Sequence, residues 1–283
     1  MRGSGGNHSP QRGAGAEPLL IARHSMNILF LGDIIGRPGR KALAGVAGAV
    51  RKSLGLDVVV ANAENASGGI GLDVKAAKEL LGLGVDVLTS GNHIWKQRDI
   101  WGFLSETDRL LRPANYPAGA PGAGLGVYSG PDGMRYAVLN LMGRTYMEAV
   151  DCPFQTANTL LGALPTDVLV RLVDFHAEAT SEKKAMGYFL DGRVSAVIGT
   201  HTHVQTNDAR VLPKGTAYLT DAGMCGPVDS IIGMEAEVVL SRFVRRLPAR
   251  FEVAKGPVRL EGALCEIDAA TGRAVSIRPW QGG

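Results

Sequence analysis

Side chains that can bind metal ions follow one predicted β-strand after another along this chain. They are Asp33 (in LFLGD), Glu64 and Asn65 (ANAEN), Asn92 and His93 (SGNH), His176 (DFHAE), and His201 and His203 (GTHTH). In open α/β sheets, ligand sites lie beyond the carboxyl ends of the strands. We therefore expect these side chains to converge at one edge of the fold.

Taken one at a time, these residues are weak signals. An aspartate such as Asp33 after a strand is more often a turn former or a helix cap, and a single histidine such as His176 is more often partly buried and hydrogen-bonded. The pair His201 and His203 is stronger, because residues i and i+2 of an extended segment point to the same side. Four of the six histidines follow predicted strands, a clustering that core packing does not explain.

The types of side chain indicate which metals would bind. Mixed imidazole and oxygen ligands suit iron, manganese or zinc, whereas magnesium needs mainly oxygen. Because no cysteine lies among the candidates, a purely structural zinc site is disfavoured. The candidates exceed the needs of one tetrahedral ion, so we expect two ions about 3.5 to 4 Å apart, bridged by a carboxylate and a hydroxide. Such a pair suits phosphate ester chemistry, because it activates water and neutralises phosphate oxygens.

The elements that must position these residues alternate between short apolar runs and helical patterns, which is typical of parallel β-α units covered on both faces. The predicted strands are Asn27–Gly32, Asp57–Ala61, Val85–Ser90, Tyr136–Leu141, Val168–Phe175, Val194–Gly199 and Thr216–Thr220. The predicted helices are Pro38–Leu54, Val74–Leu83, Ile100–Leu104, Thr156–Leu164, Ser181–Leu190 and Glu235–Arg246.

Two regions depart from this alternation. The stretch Asn115–Gly133 is rich in glycine and proline and is predicted to be a long surface loop. After Pro248 the chain changes to extended runs, which predict antiparallel β-strands in the C-terminal part of the chain. These runs are Arg250–Ala254, Val258–Ile267 and Ala274–Arg278.

The composition is that of a globular protein, with 45% hydrophobic and 20% charged residues. A net charge of +3 is too mild to indicate a nucleic-acid groove. Three cysteines without CxxC spacing predict neither a disulfide framework nor a zinc ribbon, and favour a reducing cytoplasm. The most apolar stretch, Asn27–Ile35, is too short for a membrane span of about 20 residues.

Residues 1–25 are rich in glycine, arginine, serine and proline, lack the apolar core of a signal peptide, and precede a second methionine, Met26. We interpret them as a disordered extension. Residues 26–283 are expected to form one domain.

Several phrases of the sequence carry a resemblance to a known family. They are GDIIGRPGR, ANAENASGGIGL, SGNHIW, DFHAEATSEK, IGTHTHVQT and LTDAGMCGPVDSIIG. At these residues the chain resembles the calcineurin-like metallophosphoesterases, and more closely their YmdB-type branch, from Met26 almost to the C-terminus. The resemblance implies an α/β fold of two packed mixed β-sheets flanked by helices in a four-layer sandwich. It also implies a dinuclear centre, often of iron or manganese, that hydrolyses cyclic nucleotide phosphodiesters.

The resemblance also implies a role for each candidate residue. The implied metal ligands are Asp33, Glu64 as the bridging carboxylate, Asn92, His176, His201 and His203. His93 matches a histidine that contacts the scissile phosphate and protonates the leaving oxygen. The chain departs from the broad superfamily at Ile35, where a second histidine ligand is usual. We predict that the amide oxygen of Asn65 replaces it, which would favour iron or manganese over zinc.

The leading hypothesis is therefore a dinuclear-metal phosphodiesterase that hydrolyses 2′,3′- or 3′,5′-cyclic nucleotides through a metal-bridging hydroxide. The alternatives are a metal-dependent RNA or DNA nuclease and a regulatory protein whose metals mainly stabilise the fold. An amidohydrolase barrel fits less well, because its HxH pair ends the first strand. The expected partner is a small cyclic nucleotide, with RNA second; a homo-oligomer is left open.

Overall fold

The computed structural model of the protein describes residues 1, 3, 25–130 and 133–282. Its strands are β1 Ser25–Leu31, β2 Asp33–Ile34, β3 Val58–Asn62, β4 Val87–Thr89, β5 Leu125–Ser129, β6 Arg135–Met142, β7 Val170–His176, β8 Ala196–Thr200, β9 Arg210–Val211, β10 Ala217–Leu219, β11 Met224–Pro227, β12 Val258–Asp268 and β13 Ala274–Gly282. Its helices are α1 Gly36–Ser53, α2 Val74–Gly82, α3 Ile100–Glu106, α4 Pro153–Gly162, α5 Thr180–Leu190 and α6 Ala236–Arg245, with a 3-10 turn at Ile94–Lys96.

The strands form two mixed sheets. The first has the order β2-β11-β12-β1-β3-β4, with β13 also paired to β12, and the second has the order β5-β6-β7-β8-β10-β9. Strands β1, β3 and β4 are parallel in the first sheet, and β6, β7, β8 and β10 are parallel in the second. The carboxyl ends of these parallel strands lead into the segments that carry the candidate residues.

Alternating side chains divide the interior into three apolar layers. On β1, Leu29 and Leu31 face a core shared with α1, α2 and α3. Ile28 and Phe30 face the opposite side and pack against the second sheet. Beyond that sheet, residues of β6 and β7 pack against α4 and α5. The order is helix, sheet, sheet, helix, so the predicted α/β fold of two packed sheets flanked by helices is confirmed.

Several predicted element assignments were wrong. The Asn115–Gly133 stretch, predicted to be a loop, contains β5, which pairs antiparallel with β6. The run Arg250–Ala254 is not a strand and makes only an isolated bridge between Val253 and Met234. The short strands β2, β9 and β11 were not predicted, because two to four residues are too few to show a periodicity.

Of the predicted extension, residues 2 and 4–24 lie outside the described residues, and Ser25 already begins β1. None of the described helices is long and apolar enough to cross a membrane.

Candidate metal centre

The structure brings all eight candidate side chains into one cluster where the two sheets meet. The contacts that link them are Asp33–His203, Glu64–Asn65, Glu64–His93, Glu64–His176, Asn65–His203, Asn92–His176 and His176–His201. These residues are close in space although they come from segments that lie far apart in the sequence, from Asp33 to His203. The predicted convergence at one edge is what the structure shows, whereas the role of each residue as a ligand stays a prediction.

The inner part of the cluster contains Glu64, His176 and His201, whose potential ligand atoms all lie within 4.8 Å of one another. Nε2 of His176 is surrounded by three atoms at short range. They are Glu64 Oε1 at 3.3 Å, Asn92 Oδ1 at 3.2 Å and His201 Nδ1 at 3.1 Å. Glu64 and His176 are fully buried.

A buried network between the sheets fixes the His176 ring. The Thr200 hydroxyl donates its single proton to Asp174 at 2.7 Å, so it accepts from Nδ1–H of His176 at 2.9 Å. Asn62 and Thr89 also donate to Asp174. Burial raises the pKa of Asp174 to about 6. With Nδ1 bonded to the Thr200 hydroxyl, His176 directs Nε2 toward Glu64, Asn92 and His201.

Two of the other three histidines, His201 and His203, are oriented in the same way. Nε2 of His201 lies 3.2 Å from the Glu178 carboxylate, which leaves Nδ1 facing His176. Nδ1 of His203 donates to the Ile232 carbonyl at 3.0 Å, which leaves Nε2 facing Asp33. Histidine ligands of metals are usually held by such a bond from the outer ring nitrogen. All three rings thus have an outer bond and an inward nitrogen.

Both buried carboxylates are held in the charged form. Burial alone would raise the pKa of Glu64, but His176 and His93 outweigh it and hold the pKa well below its usual value. For Asp33, burial is likewise outweighed by His203, which lowers the pKa. The Asp33 carboxylate accepts a hydrogen bond from the His201 backbone amide through Oδ2 at 3.0 Å, while its buried Oδ1 has no hydrogen-bond partner among the residues that the structure describes.

This arrangement fits metal ions. A single proton on Nε2 of His176 faces three acceptor atoms, and burial, which would lower the pKa of His176, is outweighed by Glu64, which raises it. Among the described residues, the buried Oδ1 of Asp33 has no donor at hydrogen-bonding distance, and His203 Nε2 lies 3.6 Å from it. Buried charges are normally paired or bound to metals. Cations with nitrogen and oxygen ligands would satisfy these atoms.

His93 lies at the solvent side of the cluster, with 28% of its side chain exposed. Its Nδ1 lies 2.7 Å from Asn65 Oδ1, and its backbone amide donates to Glu64 Oε2 at 3.0 Å. As placed, Asn65 turns its amide nitrogen, not its oxygen, toward Glu64 and His203. The predicted binding of a metal by the Asn65 oxygen would require this amide to rotate by half a turn, so that its oxygen faces Glu64 and His203.

The loop that carries His201 and His203 is held by a buried ion pair. Nζ of Lys183 on α5 lies 2.6 Å from Asp221 Oδ2, and both side chains are buried. The same oxygen accepts the backbone amide and the hydroxyl of Thr202. The two flanking histidines have φ angles of 97° and 62°, in the left-handed region that such residues seldom adopt. The ion pair therefore stabilises a strained loop.

We expect Lys183→Met to lower the free energy of unfolding by about 3–5 kcal/mol, because it leaves the Asp221 carboxylate buried without its cation. The measurement is denaturant unfolding of the metal-free protein. Lys184→Met is the matched control: it removes the same charge from the next, exposed residue and should change stability by less than about 0.5 kcal/mol. Equal losses in both variants would contradict the role of the ion pair.

Sequence reasoning did not find the residues that orient the ring nitrogens. Glu178 and Asp174 each lie two residues from His176 in DFHAE, so their position beside a candidate ligand was an available signal. The Ile232 carbonyl could not have been found, because every residue carries one.

The chain matches known proteins over most of its length. The model of the YmdB-like protein family matches residues 29–280. A protein of Bacillus subtilis named 2′,3′-cyclic-nucleotide 2′-phosphodiesterase is 46% identical over 252 residues, which cover 89% of this chain and 95% of that protein.

Two crystal structures share the fold. A protein of Thermus thermophilus described as hypothetical has a TM-score of 0.86 and 41% identity, covering 91% of this chain and 99% of that one. A protein of Mycoplasma pneumoniae described as a novel phosphatase has a TM-score of 0.85 and 34% identity, covering 91% and 93%. The resemblance seen in the sequence motifs is thus confirmed, and the chain belongs to the YmdB-like family.

Proposed function

We propose that this protein is a metal-dependent phosphodiesterase that hydrolyses 2′,3′-cyclic nucleotides to nucleoside 3′-phosphates, with two ions of iron or manganese. The observation that carries the proposal is the set of inward acceptor atoms around His176 Nε2, with His176, His201 and His203 each held by a bond to the outer ring nitrogen. The preference for the 2′,3′ ring follows the name of the Bacillus subtilis relative.

The residues present fit two ions. Glu64, Asn92, His176 and His201 would hold one of them, because their inward atoms share the space around His176 Nε2. Asp33 and His203 would hold the other, with Asn65 contacting both His203 and Glu64. When bound, the two ions supply Lewis-acid activation of water and of the phosphate.

His93 supplies the proton. Its Nδ1 is bonded to Asn65, and its Nε2 has no hydrogen-bond partner in the part of the chain that the structure describes. The ring is partly exposed, so a substrate can approach it. Attack of water on phosphorus breaks the bond to the ribose 2′-oxygen, and Nε2–H of His93 protonates that leaving oxygen. The proton that the attacking water loses passes to solvent, from which His93 regains its own. The phosphate remains on the 3′-oxygen.

The setting of the cysteines agrees with a cytoplasmic enzyme. All three are free thiols, and Cys225 and Cys265 are buried. Burial raises the pKa of both thiols to about 12. Unpaired, unreactive thiols are usual in a reducing compartment.

The test combines metal content with a substrate panel. Protein purified without added ions is analysed for bound metals, and the same sample is assayed with 2′,3′- and 3′,5′-cyclic nucleotides and bis-p-nitrophenyl phosphate. We expect about two equivalents of iron or manganese, 3′-monophosphate as product, and loss of activity on chelation.

Asp33→Asn serves as the matched variant, since it keeps the shape of the side chain but removes its charge. It should lower metal content and activity together. A metal-replete protein that hydrolyses none of these diesters would overturn the proposal and leave the regulatory alternative.

A further inference from the structure

A positively charged groove begins beside the metal centre. Two adjoining depressions of about 480 Å³ each share Arg37, Pro38 and Lys255 in their walls. The walls also carry Lys41 from α1 and Arg250 from the segment after α6. Arg37, Lys41, Arg250 and Lys255 are all exposed.

Close backbone packing brings these segments together. The Gly36 amide donates to the Asn65 carbonyl at 2.9 Å, which joins the start of α1 to the loop after β3. A Cβ atom on Gly36 would lie 3.0 Å from Val253, and one on Gly69 would lie 2.7 Å from it. The segment 250–255 therefore covers both loops. Ser67, in the groove wall, lies two residues after Asn65 of the metal centre.

The positive charges of the groove are not neutralised by the protein. Arg37, Lys41, Arg250 and Lys255 form no ion pair with the residues that the structure describes. The walls contain two carboxylates. Asp73 caps α2 by accepting a hydrogen bond from the Ala76 backbone amide, so Glu252 is the remaining carboxylate beside the four cations. Helix α1 adds to the positive potential, since its N-terminus has neither a side-chain cap nor an acidic residue in its first turn.

An aromatic ring completes the groove. Phe251 lies in its wall with 38% of its surface exposed, and the Arg242 guanidinium lies 5.1 Å from the ring centroid. A cationic groove with an exposed aromatic side chain is the usual means of binding single-stranded nucleic acid, because phosphates follow the charges and a base stacks on the ring.

A further open cavity, whose lining includes His203, differs from the groove. It has a volume of about 250 Å³, but its Arg259 is paired with Glu261 at 2.7 Å. Its described lining residues therefore offer no unpaired cation to a chain of phosphates.

We infer that the groove binds the 3′-terminal nucleotides of single-stranded RNA, so that the enzyme acts on RNA ends carrying a 2′,3′-cyclic phosphate as well as on mononucleotides. The inference rests on the proposed function, whose substrate class it extends. A cyclic mononucleotide has one phosphate, which the metal centre engages. The exposed cations beyond the centre match the further phosphates of a chain.

The experiment compares kcat/KM for a cyclic mononucleotide with that for a tetranucleotide ending in the same 2′,3′-cyclic phosphate. At 50 mM salt we expect the ratio to favour the tetranucleotide by about tenfold or more. Raising the salt to 200 mM should remove most of this preference, because log K falls by about 0.7 per neutralised phosphate for each unit of log salt in single strands.

The variant is Arg37→Glu with Lys255→Glu, which should bring the ratio close to one. Lys52→Glu is the matched control, because it makes the same type of change at an exposed position near the other end of α1 and should keep the ratio. A wild-type ratio near one, or a ratio that the groove variant does not change, overturns the inference.

A binding measurement separates this inference from the proposed function. Fluorescence anisotropy with a tetranucleotide ending in a plain 3′-phosphate reports on the groove even if no substrate is hydrolysed. We expect the groove variant to weaken this binding about tenfold. Unchanged RNA binding, combined with loss of binding to vesicles containing phosphatidylglycerol, would instead assign the groove to a membrane surface and overturn the RNA assignment.

Discussion

Replacing His93 with alanine is expected to lower kcat by about 10²- to 10⁴-fold, the usual contribution of a general acid, while the metal content stays near that of the wild type. His93 is not one of the inner group of Glu64, His176 and His201. Its Nδ1 lies 2.7 Å from Asn65 Oδ1 and 3.3 Å from Glu64 Oε1, and its ring is partly exposed at the solvent side. Loss of the ring should therefore remove a proton donor without removing a ligand.

The decisive comparison is with Glu64→Ala and His201→Ala, which should lose metal as well as activity. Metal content is measured on the same samples as kcat. A second readout uses a nitrophenyl diester, whose leaving group departs as an anion and needs no proton. The His93→Ala defect should be much smaller with that substrate. Equal metal loss in all three variants, or an equal defect with both substrates, would contradict the division of roles.

The clustering of the candidate residues was predictable, because they follow strands whose carboxyl ends meet at one edge of the fold. Asp33, Glu64 and His201 each follow a strand of the parallel cores, and the carboxyl ends of such strands are the usual place for ligands. The fold was predictable for the same reason, since apolar runs separated by helical patterns specify parallel β-α units.

What the sequence did not reveal depends on contacts between distant segments. The outer bonds of the histidines use a carbonyl, a hydroxyl and a carboxylate of ordinary residues, whose partners are set only by the packing of the sheets. The β5 strand was hidden by the glycines and prolines around Leu125–Ser129, although its pairing with β6 gives it a stable place at the sheet edge.

The basic groove was also hidden, because the net charge of the chain is only +3. Its cations come from residues 37–41 and 250–255. These two segments lie far apart in the sequence, so no short stretch of sequence shows the cluster of charges. The sequence argument against a nucleic-acid groove used the net charge of the whole chain, whereas phosphate binding depends on the local arrangement of charges.

Gly91 gives the second large effect, because it lies against the inner group of the metal centre. A Cβ atom added there would lie 2.1 Å from His176 Nε2 and 2.4 Å from Glu64 Oε2. Its backbone is not in the left-handed region, so alanine would meet no local backbone strain. The methyl group would instead displace the two side chains that the proposed centre needs most.

We expect Gly91→Ala to lower kcat/KM by about 10²-fold or more, since misplacing a reacting group by about 1 Å can have this effect, and to reduce the bound metal. Gly45→Ala is the matched control. Gly45 lies inside α1, where an added Cβ atom meets nothing within 4 Å, so alanine should raise the free energy of unfolding by about 0.5–1 kcal/mol and leave the metal content unchanged. Because both variants add the same methyl group, the difference between them in kcat/KM and in bound metal reports the effect of crowding His176 and Glu64. Full metal content and turnover in Gly91→Ala would show that these two side chains do not hold a metal ion.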